Sequence, residues 1–445
     1  MKGDLTKLTA VEAAQAIREG RLSSEALVQS CNDRIAATDE VIKAWSCHDP
    51  ELALVQAREM DRIRKSGKAT GALHGVPVGL KDIVDTRFMP TERGTPIFAG
   101  RQPDADATIV NRLREAGAVI MGKTKTTELA FVHPTDTTNP HDVARSPGGS
   151  SSGSAAAVAA SHIPLAIGSQ TGGSVIRPAS YCGIYGFKPT RGVISRNGVL
   201  QTSQTLDQLG TFARTLDDAA LLADVVGCYD PADPASFARP RPVMLAGVRA
   251  EAPVEPDLAW FEFPFHDLLD ADAREGLDAV IDALGPRVER LPVSETLAGL
   301  VDVHITIHEY EFCQNLATEI DDNWDLLSDS LQPVVTRGRA ITQAQYEDAL
   351  AVRTTAVEFF AKHFNEFDAI LAPSATGEPP MLDDGTGDPV FCRIASLAGL
   401  PALTLPLLVG ENGLPVGVQL IGGVEEDDRL LRTANWMQRA LVEEE

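Results

Sequence analysis

The apolar and polar positions near the start of the chain follow the period of amphipathic helices. Thr9 to Glu12 has the form of a capping box and precedes an amphipathic run that stops at Gly20. Ser23 or Ser24 can cap a second helix that reaches about residue 37, and Pro50 is well placed to begin a third. The pattern therefore predicts three helices before the first strand.

The pattern then changes to short apolar runs separated by glycines. Residues 75–84, GVPVGLKDIV, are typical of a buried strand and a turn, with Lys81 as the one cation in the middle. A helical pattern over 104–116 and a strand pattern over 118–121 follow. A small, helix-prone run over 154–160 precedes a short apolar run over 164–167. This alternation predicts an α/β sheet.

The second half of the chain repeats these patterns with longer helices. The regular glycines of 183–198 predict tight turns at an edge of the sheet, and 216–226 predicts a helix. A connector rich in Pro, Ala and Asp spans 230–242, and the pattern over 242–292 predicts a strand, a helix and a strand. Residues 294–365 are mainly helical. Sheet patterns return at 368–373, 401–408 and 416–421, before a last helix from about residue 427.

Composition narrows the function classes. Of the 445 residues, 44% are apolar and 23% are charged, as in a soluble globular protein. A net charge of −24 disfavours nucleic acid and anionic membranes as direct partners. The start of the chain lacks the apolar core of a signal peptide, so we expect a cytoplasmic protein. The six cysteines form no CxxC pair, which argues against a disulfide framework or a zinc site.

Candidate chemistry is concentrated in two glycine-serine turns. Gly148 and Gly149 lead into Ser150, and Gly172 and Gly173 lead into Ser174. Glycine pairs bring main-chain N–H groups close to a ligand, which a serine nucleophile with an oxyanion hole requires. A flexible linker is the alternative, but the helix-prone and strand-like runs between the turns argue against it.

A serine hydroxyl needs a base, and the histidines offer little for this role. Residues 149–153 match a GxSxG elbow, which would make Ser151 the nucleophile, but no convincing acid and histidine pair follows. His304 and His308 have the spacing of two metal ligands on a helix, without the glutamate of HExxH. We therefore expect the histidines to pack in the core or lie on the surface.

Lys81 is the remaining candidate base. A salt bridge with Asp82 or Asp85 is the commoner fate of such a lysine. A desolvated lysine, however, has a lowered pKa and can accept a proton.

Four blocks of sequence resemble the amidase signature family: HGVPVGLKD at 74–82, SPGGSSSGSAAAVA at 146–159, GSQTGGSVIRPAS at 168–180 and YGFKPTRGVIS at 185–195. LAGLPALTLP and GLPVGVQLIGG extend the resemblance to about residue 423. The resemblance implies an α/β amidase-signature fold with a central twisted mixed sheet flanked by helices. We expect N-terminal helices at 1–70, a catalytic core at 71–230, a variable helical pocket region at 231–365, and the rest of the core at 366–445.

The resemblance also implies a Ser-Ser-Lys triad. Ser174 matches the nucleophile, Ser150 the bridging serine that follows a cis peptide bond after Gly149, and Lys81 the general base. The matching oxyanion hole consists of the main-chain N–H groups of Thr171, Gly172, Gly173 and Ser174. No cofactor or metal is expected.

Two linked positions depart from the commonest family pattern. Many members have Asp in place of Gln170, and Arg in place of Ile176; here Arg177 comes one residue later. If the acid and the base normally pair, losing both leaves no orphan charge. We expect Gln170 and Arg177 to support the site.

These residues predict an enzyme that cleaves C–N bonds of small neutral amides, and also carbamates (urethanes) and esters, through an acyl-enzyme. The alternatives are the glutamine-hydrolysing A subunit of a tRNA-dependent amidotransferase, and a silent binding protein, against which the intact triad argues. We expect a small-molecule partner, no nucleic acid, no membrane, and a monomer or homodimer. A few aromatic residues should line the pocket and favour aryl amides, while most pack in the core: Trp260, Phe261, Phe263, Phe265, Tyr310, Phe312 and Trp324.

Overall fold

One mixed sheet runs through the part of the chain that a computed structural model describes, residues 3–241 and 243–443. Its strands are β1 Trp45–His48, β2 Pro77–Lys81, β3 Val119–Thr124, β4 Leu165–Gln170, β5 Tyr185–Lys188, β6 Gln208–Ala213, β7 Leu258–Glu262, β8 Val288–Pro292, β9 Ala369–Pro373, β10 Ala402–Val409 and β11 Pro415–Ile421. They are ordered β1-β3-β2-β4-β6-β5-β10-β11-β9-β7-β8. Strand β2 is parallel to β3 and β4, and β7 is parallel to β8 and β9, while the other pairs are antiparallel. The predicted mixed α/β fold is confirmed.

Helices flank this sheet. They are α1 Ala10–Arg18, α2 Ser24–Ile42, α3 Pro50–Lys65, α4 Thr108–Glu115, α5 Ser152–Ala159, α6 Ile176–Tyr181, α7 Leu216–Val226, α8 Met244–Arg249, α9 Ala271–Leu284, α10 Glu295–Ala298, α11 Leu300–Asn315, α12 Ala317–Asp322, α13 Gln332–Ala340, α14 Gln343–His363, α15 Val390–Ala398 and α16 Asp427–Glu443. The predicted capping box is present, because Thr9 and Glu12 bond each other's backbone N–H groups. Within the described residues, no helix is both long and apolar enough to cross a bilayer.

The first strand lies earlier than the sequence predicted. Strand β1 precedes α3 and pairs antiparallel with β3, with Trp45 opposite Thr124. Four residues are too few for a clear period of two, and the strand forms through its pairing at the sheet edge. The prediction of three helices before any strand was therefore wrong.

One further strand position differs from the expectation. Strand β5 lies inside the sheet between β6 and β10, not at an edge, and its Phe187 is fully buried. Long-range pairing determines where this strand lies, and local periodicity does not report it. The strand, helix and strand predicted over 242–292 are present as β7, α9 and β8, and the two strands continue the same sheet beyond β9.

The buried middle of the sheet ends at the catalytic candidates. Every residue of β2, β3, β4 and β6 is buried. Strand β2 ends at Lys81, and the parallel strand β4 ends at Gln170, directly before the turn that carries Ser174. The carboxyl ends of parallel strands meet at one edge of a sheet, so the fold places these residues close together.

Candidate active site

Lys81 is the centre of a buried hydrogen-bond cluster. Its side chain has 0% exposure, and Nζ donates to Ser150 Oγ at 2.7 Å and to Ser169 Oγ at 2.8 Å. The sequence did not single out Ser169. Its position two residues before the oxyanion turn, on the strand beside β2, is the only signal that could have found it.

The salt-bridge alternative for Lys81 is wrong. Asp82 lies 3.2 Å from Lys123 Nζ, although without the geometry of a hydrogen bond, and Asp85 bonds Arg101 at 2.7 Å. Burial lowers the pKa of Lys81 well below its ordinary value, and the negative charge of Asp207 opposes this shift only in part. The amine can therefore be neutral and accept a proton.

Ser150 follows a cis peptide bond after Gly149. Its carbonyl accepts a hydrogen bond from the N–H of Thr127 at 3.2 Å, and Ser152 donates to the carbonyl of Gly148 at 2.7 Å. A side chain at Gly149 would come within 2.8 Å of Thr386, so glycine is required by close packing. These contacts hold the Ser150 hydroxyl against Lys81.

Ser151 lies away from the cavity that contains Ser174. It is fully buried, and its hydroxyl donates to the carbonyl of Ser169 at 3.2 Å. The described side chains that line the cavity do not include it. The geometry gives no support to the elbow alternative with Ser151 as nucleophile.

Ser174 lies in a turn between β4 and α6, in which the protein binds the three carbonyl groups that precede Ser174. The carbonyl of Thr171 accepts from His304 Nε2 at 2.8 Å, that of Gly172 from Ser396 Oγ at 2.7 Å, and that of Gly173 from the N–H of Arg177 at 3.0 Å. Within the described residues, the four N–H groups predicted to form the oxyanion hole, at positions 171 to 174, have no protein acceptor. A turn of this kind can donate hydrogen bonds to a developing oxyanion.

The structure brings Lys81 and Ser150 together, but it does not join Ser174 to them. Ser174 is partly exposed and lines a cavity of about 310 Å³. In the described part of the chain, no hydrogen bond links the hydroxyls of Ser174 and Ser150. Catalytic hydrogen bonds often form fully only when substrate is bound, so the roles of the three residues stay a prediction.

Gln170 supports the turn without a charge. Its Oε1 accepts the N–H groups of Val175 and Ile176 at 2.9 and 3.0 Å, and its Nε2 donates to Ser396 Oγ at 3.0 Å. The carboxamide thus caps the start of α6 and orients the hydroxyl that holds Gly172. This network explains how the site accommodates Gln170 and Ile176 in place of a charged pair.

Charged side chains line the cavity. Arg177 is 5% exposed, and its Nη2 donates to the carbonyl of Gly149 at 2.7 Å and to Thr386 Oγ1 at 3.2 Å. Arg393 of α15, and Glu309 and Arg337 of α11 and α13, complete the charged part of the wall. Burial lowers the pKa of Arg177.

The aromatic residues lie elsewhere than expected. None of the seven lines the cavity within the described residues. Phe261, Phe263 and Phe265 line a separate apolar cavity of about 20 Å³, and Phe312 packs against Phe131 with ring centres 4.7 Å apart. The expectation that some of these residues form an apolar substrate pocket was wrong, because Phe261, Phe263 and Phe265 pack between α14, β9 and α15 and Phe312 packs in the core.

Two histidines expected only to pack are part of the wall. His304 Nδ1 accepts from Arg393 Nη1 at 3.0 Å, so the ring is neutral and its Nε2–H donates to Thr171. Burial and Arg393 lower the pKa of His304 to about 3. His308 lines the cavity and packs against Phe131. Their spacing of four residues places both rings on one face of α11, which was visible in the sequence. This spacing was interpreted only as a possible metal-binding pattern.

Comparisons with known proteins agree over almost the whole chain. The family model described as Amidase matches residues 26–431. The A subunit of glutamyl-tRNA(Gln) amidotransferase from Acidothermus cellulolyticus is 35% identical, over 99% of this chain and 95% of that protein. The crystal structure of the corresponding A subunit from Thermotoga maritima superposes with a TM-score of 0.83 at 28% identity, covering 98% and 95% of the two chains.

A third similarity is to a chain from a solved structure described as an unexpected vestigial protein complex that reveals the evolutionary origins of an s-triazine catabolic enzyme. Its TM-score is 0.91 at 28% identity, and 97% and 98% of the two chains are covered.

These relatives overturn the prediction about partners. The A subunit is by name one part of an enzyme with several subunits, and that enzyme acts on a charged tRNA. The expectations of no nucleic acid and of a monomer or homodimer were therefore wrong. The net charge of one chain says nothing about the subunits that assemble with it.

Proposed function

The chain belongs to the amidase signature family of enzymes that hydrolyse C–N bonds, and on this basis we propose that it releases ammonia from glutamine as the A subunit of a tRNA-dependent amidotransferase. The observation that carries the chemistry is the 2.7 Å contact of buried Lys81 with Ser150, beside the turn of Ser174. The similarity to the A subunit of that enzyme over 99% of the chain supports the substrate and the assembly.

The proposed reaction begins with attack of Ser174 Oγ on the amide carbonyl. The hydroxyl proton passes to Ser150, whose own proton passes to the neutral amine of Lys81. The N–H groups of the turn at 172–174 donate to the oxyanion. Lys81 returns the proton through Ser150 to the leaving nitrogen, so the C–N bond breaks and ammonia leaves. Water then attacks the ester of Ser174 by the same proton route and releases the acid.

The character of the cavity favours a small polar amide. Its volume of about 310 Å³ lies at the lower end of the range for small-molecule sites, and arginine and glutamate side chains line it. Glutamine carries a carboxylate and an ammonium group beside its amide, and such groups are bound by side chains of opposite charge. A neutral aryl amide would leave Arg177 and Arg393 without an anionic partner, whereas Glu309 and Arg337 pair with each other.

The test measures ammonia release from glutamine. The full chain is assayed alone and after co-expression with the other subunits of a glutamyl-tRNA(Gln) amidotransferase. We expect glutaminase activity that rises on assembly, is coupled to amidation of glutamyl-tRNA, and disappears in Ser174→Ala. Absence of glutamine hydrolysis by the assembled enzyme, together with rapid hydrolysis of other amides, would refute the assignment.

A second candidate is catabolic hydrolysis of small linear amides or carbamates. The TM-score of 0.91 to the chain associated with an s-triazine catabolic enzyme favours it. The carbonyl of a carbamate would meet the same nucleophile and the same N–H donors. A panel of amides, carbamates, esters and glutamine, ranked by kcat/KM on one preparation, separates the two candidates.

A further inference from the structure

We propose that His304 is a positioning residue of the oxyanion hole, which transmits the positive charge of Arg393 to the peptide group between Thr171 and Gly172. This inference rests on the proposed amide hydrolysis at Ser174. It goes beyond that function by naming the side chains that make the turn a strong donor of hydrogen bonds to the oxyanion.

His304 supports the wall of the cavity from behind the turn. Its side chain is fully buried, and it is not among the described residues that line the cavity. A Cβ atom at Gly172 would lie 3.7 Å from Cε1 of the ring, so the ring backs the turn directly. His304 therefore influences a substrate only through the backbone against which it packs.

Both ring nitrogens of His304 are engaged. Nε2 lies 2.8 Å from the carbonyl oxygen of Thr171, which can only accept, so Nε2 carries the hydrogen. Nδ1 lies 3.0 Å from Nη1 of Arg393, which can only donate, so Nδ1 is unprotonated. The two contacts fix one tautomer of a neutral ring, with a cation at one end and a peptide carbonyl at the other. A ring with both nitrogens occupied is not available as the base for Ser174.

The carbonyl of Thr171 and the N–H of Gly172 belong to the same planar peptide group. A hydrogen bond to the carbonyl oxygen draws electrons from the nitrogen, so the N–H becomes a better donor, because bonds in a chain polarise one another. Gly172 lines the cavity, and its N–H has no protein acceptor within the described residues. The bond from His304 therefore strengthens a donor of the oxyanion hole.

The charge of Arg393 distinguishes this peptide group from the next two in the turn. Their carbonyls accept from a neutral hydroxyl, that of Ser396, and from a neutral backbone N–H. The donor to the carbonyl of Thr171 is itself bound to a cation. No described carboxylate lies within 4.0 Å of the guanidinium of Arg393, so no close counter-ion cancels its effect on the ring.

Two substitutions separate this role from simple packing. Glutamine places its amide close to the position of Nε2 of a histidine, and asparagine places its amide close to the position of Nδ1. His304→Gln therefore keeps a donor for Thr171 and loses the link to Arg393. His304→Asn keeps a contact for Arg393 and loses the donor to the turn.

The test uses a fluorophosphonate, which needs the oxyanion hole but no recognition of an amide. Ser174 Oγ bonds to phosphorus and fluoride leaves, while the phosphoryl oxygen accepts from the turn. The second-order rate constant of labelling is measured on the full chain, with its partner subunits if activity requires them. We expect His304→Gln to be labelled about three- to fivefold more slowly than the wild type. His304→Asn should be labelled about 10- to 100-fold more slowly, since removal of a whole oxyanion donor costs about 100- to 1000-fold.

Turnover of an amide should follow the same order. We expect kcat for glutamine, or for the amide that the wild type hydrolyses best, to fall in the two variants while KM changes by less than about twofold. Equal rates for His304→Gln and His304→Asn, or a loss confined to KM, would overturn the proposal.

A double-mutant cycle tests the link to Arg393. Arg393→Met removes the charge and should slow labelling about three- to fivefold in the wild type, with no further effect in His304→Asn, where the chain is already broken. Additive losses would mean that the guanidinium acts directly in the cavity, and would refute the transmission. If His304→Asn does not fold, the cycle with His304→Gln tests the same link.

The matched control is His74→Asn. His74 is 3% exposed, and its Nε2 donates to the carbonyl of Met60 at 2.9 Å, so the variant removes the same kind of buried bond. His74 precedes β2, at the end of the strand opposite Lys81. This variant should lower the melting temperature and leave the rate of labelling unchanged.

The labelling rate keeps the two proposals separate. The expected dependence on His304, in a protein that does not hydrolyse glutamine, supports the positioning role and refutes the proposed function. Glutamine hydrolysis and labelling that His304→Asn leaves unchanged support the proposed function and refute the positioning role. A wild type that is neither labelled nor active on any amide refutes both.

Discussion

Exchange of Gln170 for glutamate tests how the protein holds its oxyanion turn. Glutamate keeps the oxygen that accepts the N–H groups of Val175 and Ile176, and a negative charge is favourable at the start of α6. It loses the NH₂ that donates to Ser396 Oγ. The Ser396 hydroxyl has one proton, which now bonds the carbonyl of Gly172, and in Gln170→Glu the new carboxylate competes for it.

The structure sets the size of the effect. If Ser396 turns to the carboxylate, Gly172 loses one buried hydrogen bond, which is worth about 1 to 3 kcal/mol. Since about 1.4 kcal/mol is a factor of ten in rate, we expect kcat/KM to fall about 5- to 150-fold. Ser396→Ala removes the same bond without adding a charge, and should lose activity in the same range.

The assay is kcat/KM for one amide, with the melting temperature measured in parallel. Gln345→Glu is the matched control, because Oε1 of Gln345 accepts from Thr342 in an exposed capping box, where glutamate serves equally well. It should leave both quantities unchanged. The reasoning fails if Gln170→Glu keeps kcat/KM within twofold of the wild type, or if Ser396→Ala is fully active.

Three further predictions concern the site and its surroundings. Ser174→Ala should abolish turnover and block labelling by a fluorophosphonate, and peptide mapping that finds the label on Ser151 would contradict the assignment. Lys81 acts as a base only when its amine is neutral, so the rate of the wild type should rise as the pH rises through the lowered pKa of Lys81. Lys81→Ala should lose activity at neutral pH and recover in part at high pH. Unchanged activity of this variant would exclude the mechanism. Asp82→Ala leaves the buried Lys123 without its carboxylate, and should lower the free energy of unfolding, measured by urea denaturation, by about 3 to 5 kcal/mol. Glu115→Ala removes an exposed pair with Arg112 and should lower it by less than about 1 kcal/mol.

Local patterns predicted several elements of the core around the site. The helix over 216–226 has the bounds that its pattern predicted, and residues 165–167 of the run over 164–167 lie in β4. Lys81 stood out because a cation interrupts an apolar strand, and the structure buries it completely. These signals are visible because each depends on neighbours within a few residues.

The wall of the cavity could not be predicted in this way. His304 and Arg393 are 89 residues apart along the chain, and they meet only because α11 and α15 pack on the same turn. Which face of α11 meets Thr171 depends on tertiary packing, and the polar face of a helix gives no sign of it. The aromatic residues were misplaced for the same reason, since aromatic composition does not distinguish a core cluster from a substrate pocket.

The net charge of the chain was a poor basis for predicting its binding partners. At physiological salt the field of an exposed charge decays over about 8 Å, so a total of −24 mainly describes the outer surface. Arg177, by contrast, lines a buried cavity where screening is weak, and two of its nitrogens have no partner among the described residues. An acidic chain can therefore bind an anionic substrate. By the same argument, an acidic chain can be a subunit of an enzyme that acts on tRNA. The phosphates of the tRNA need a basic surface only where they contact the assembly, and another subunit can provide that surface.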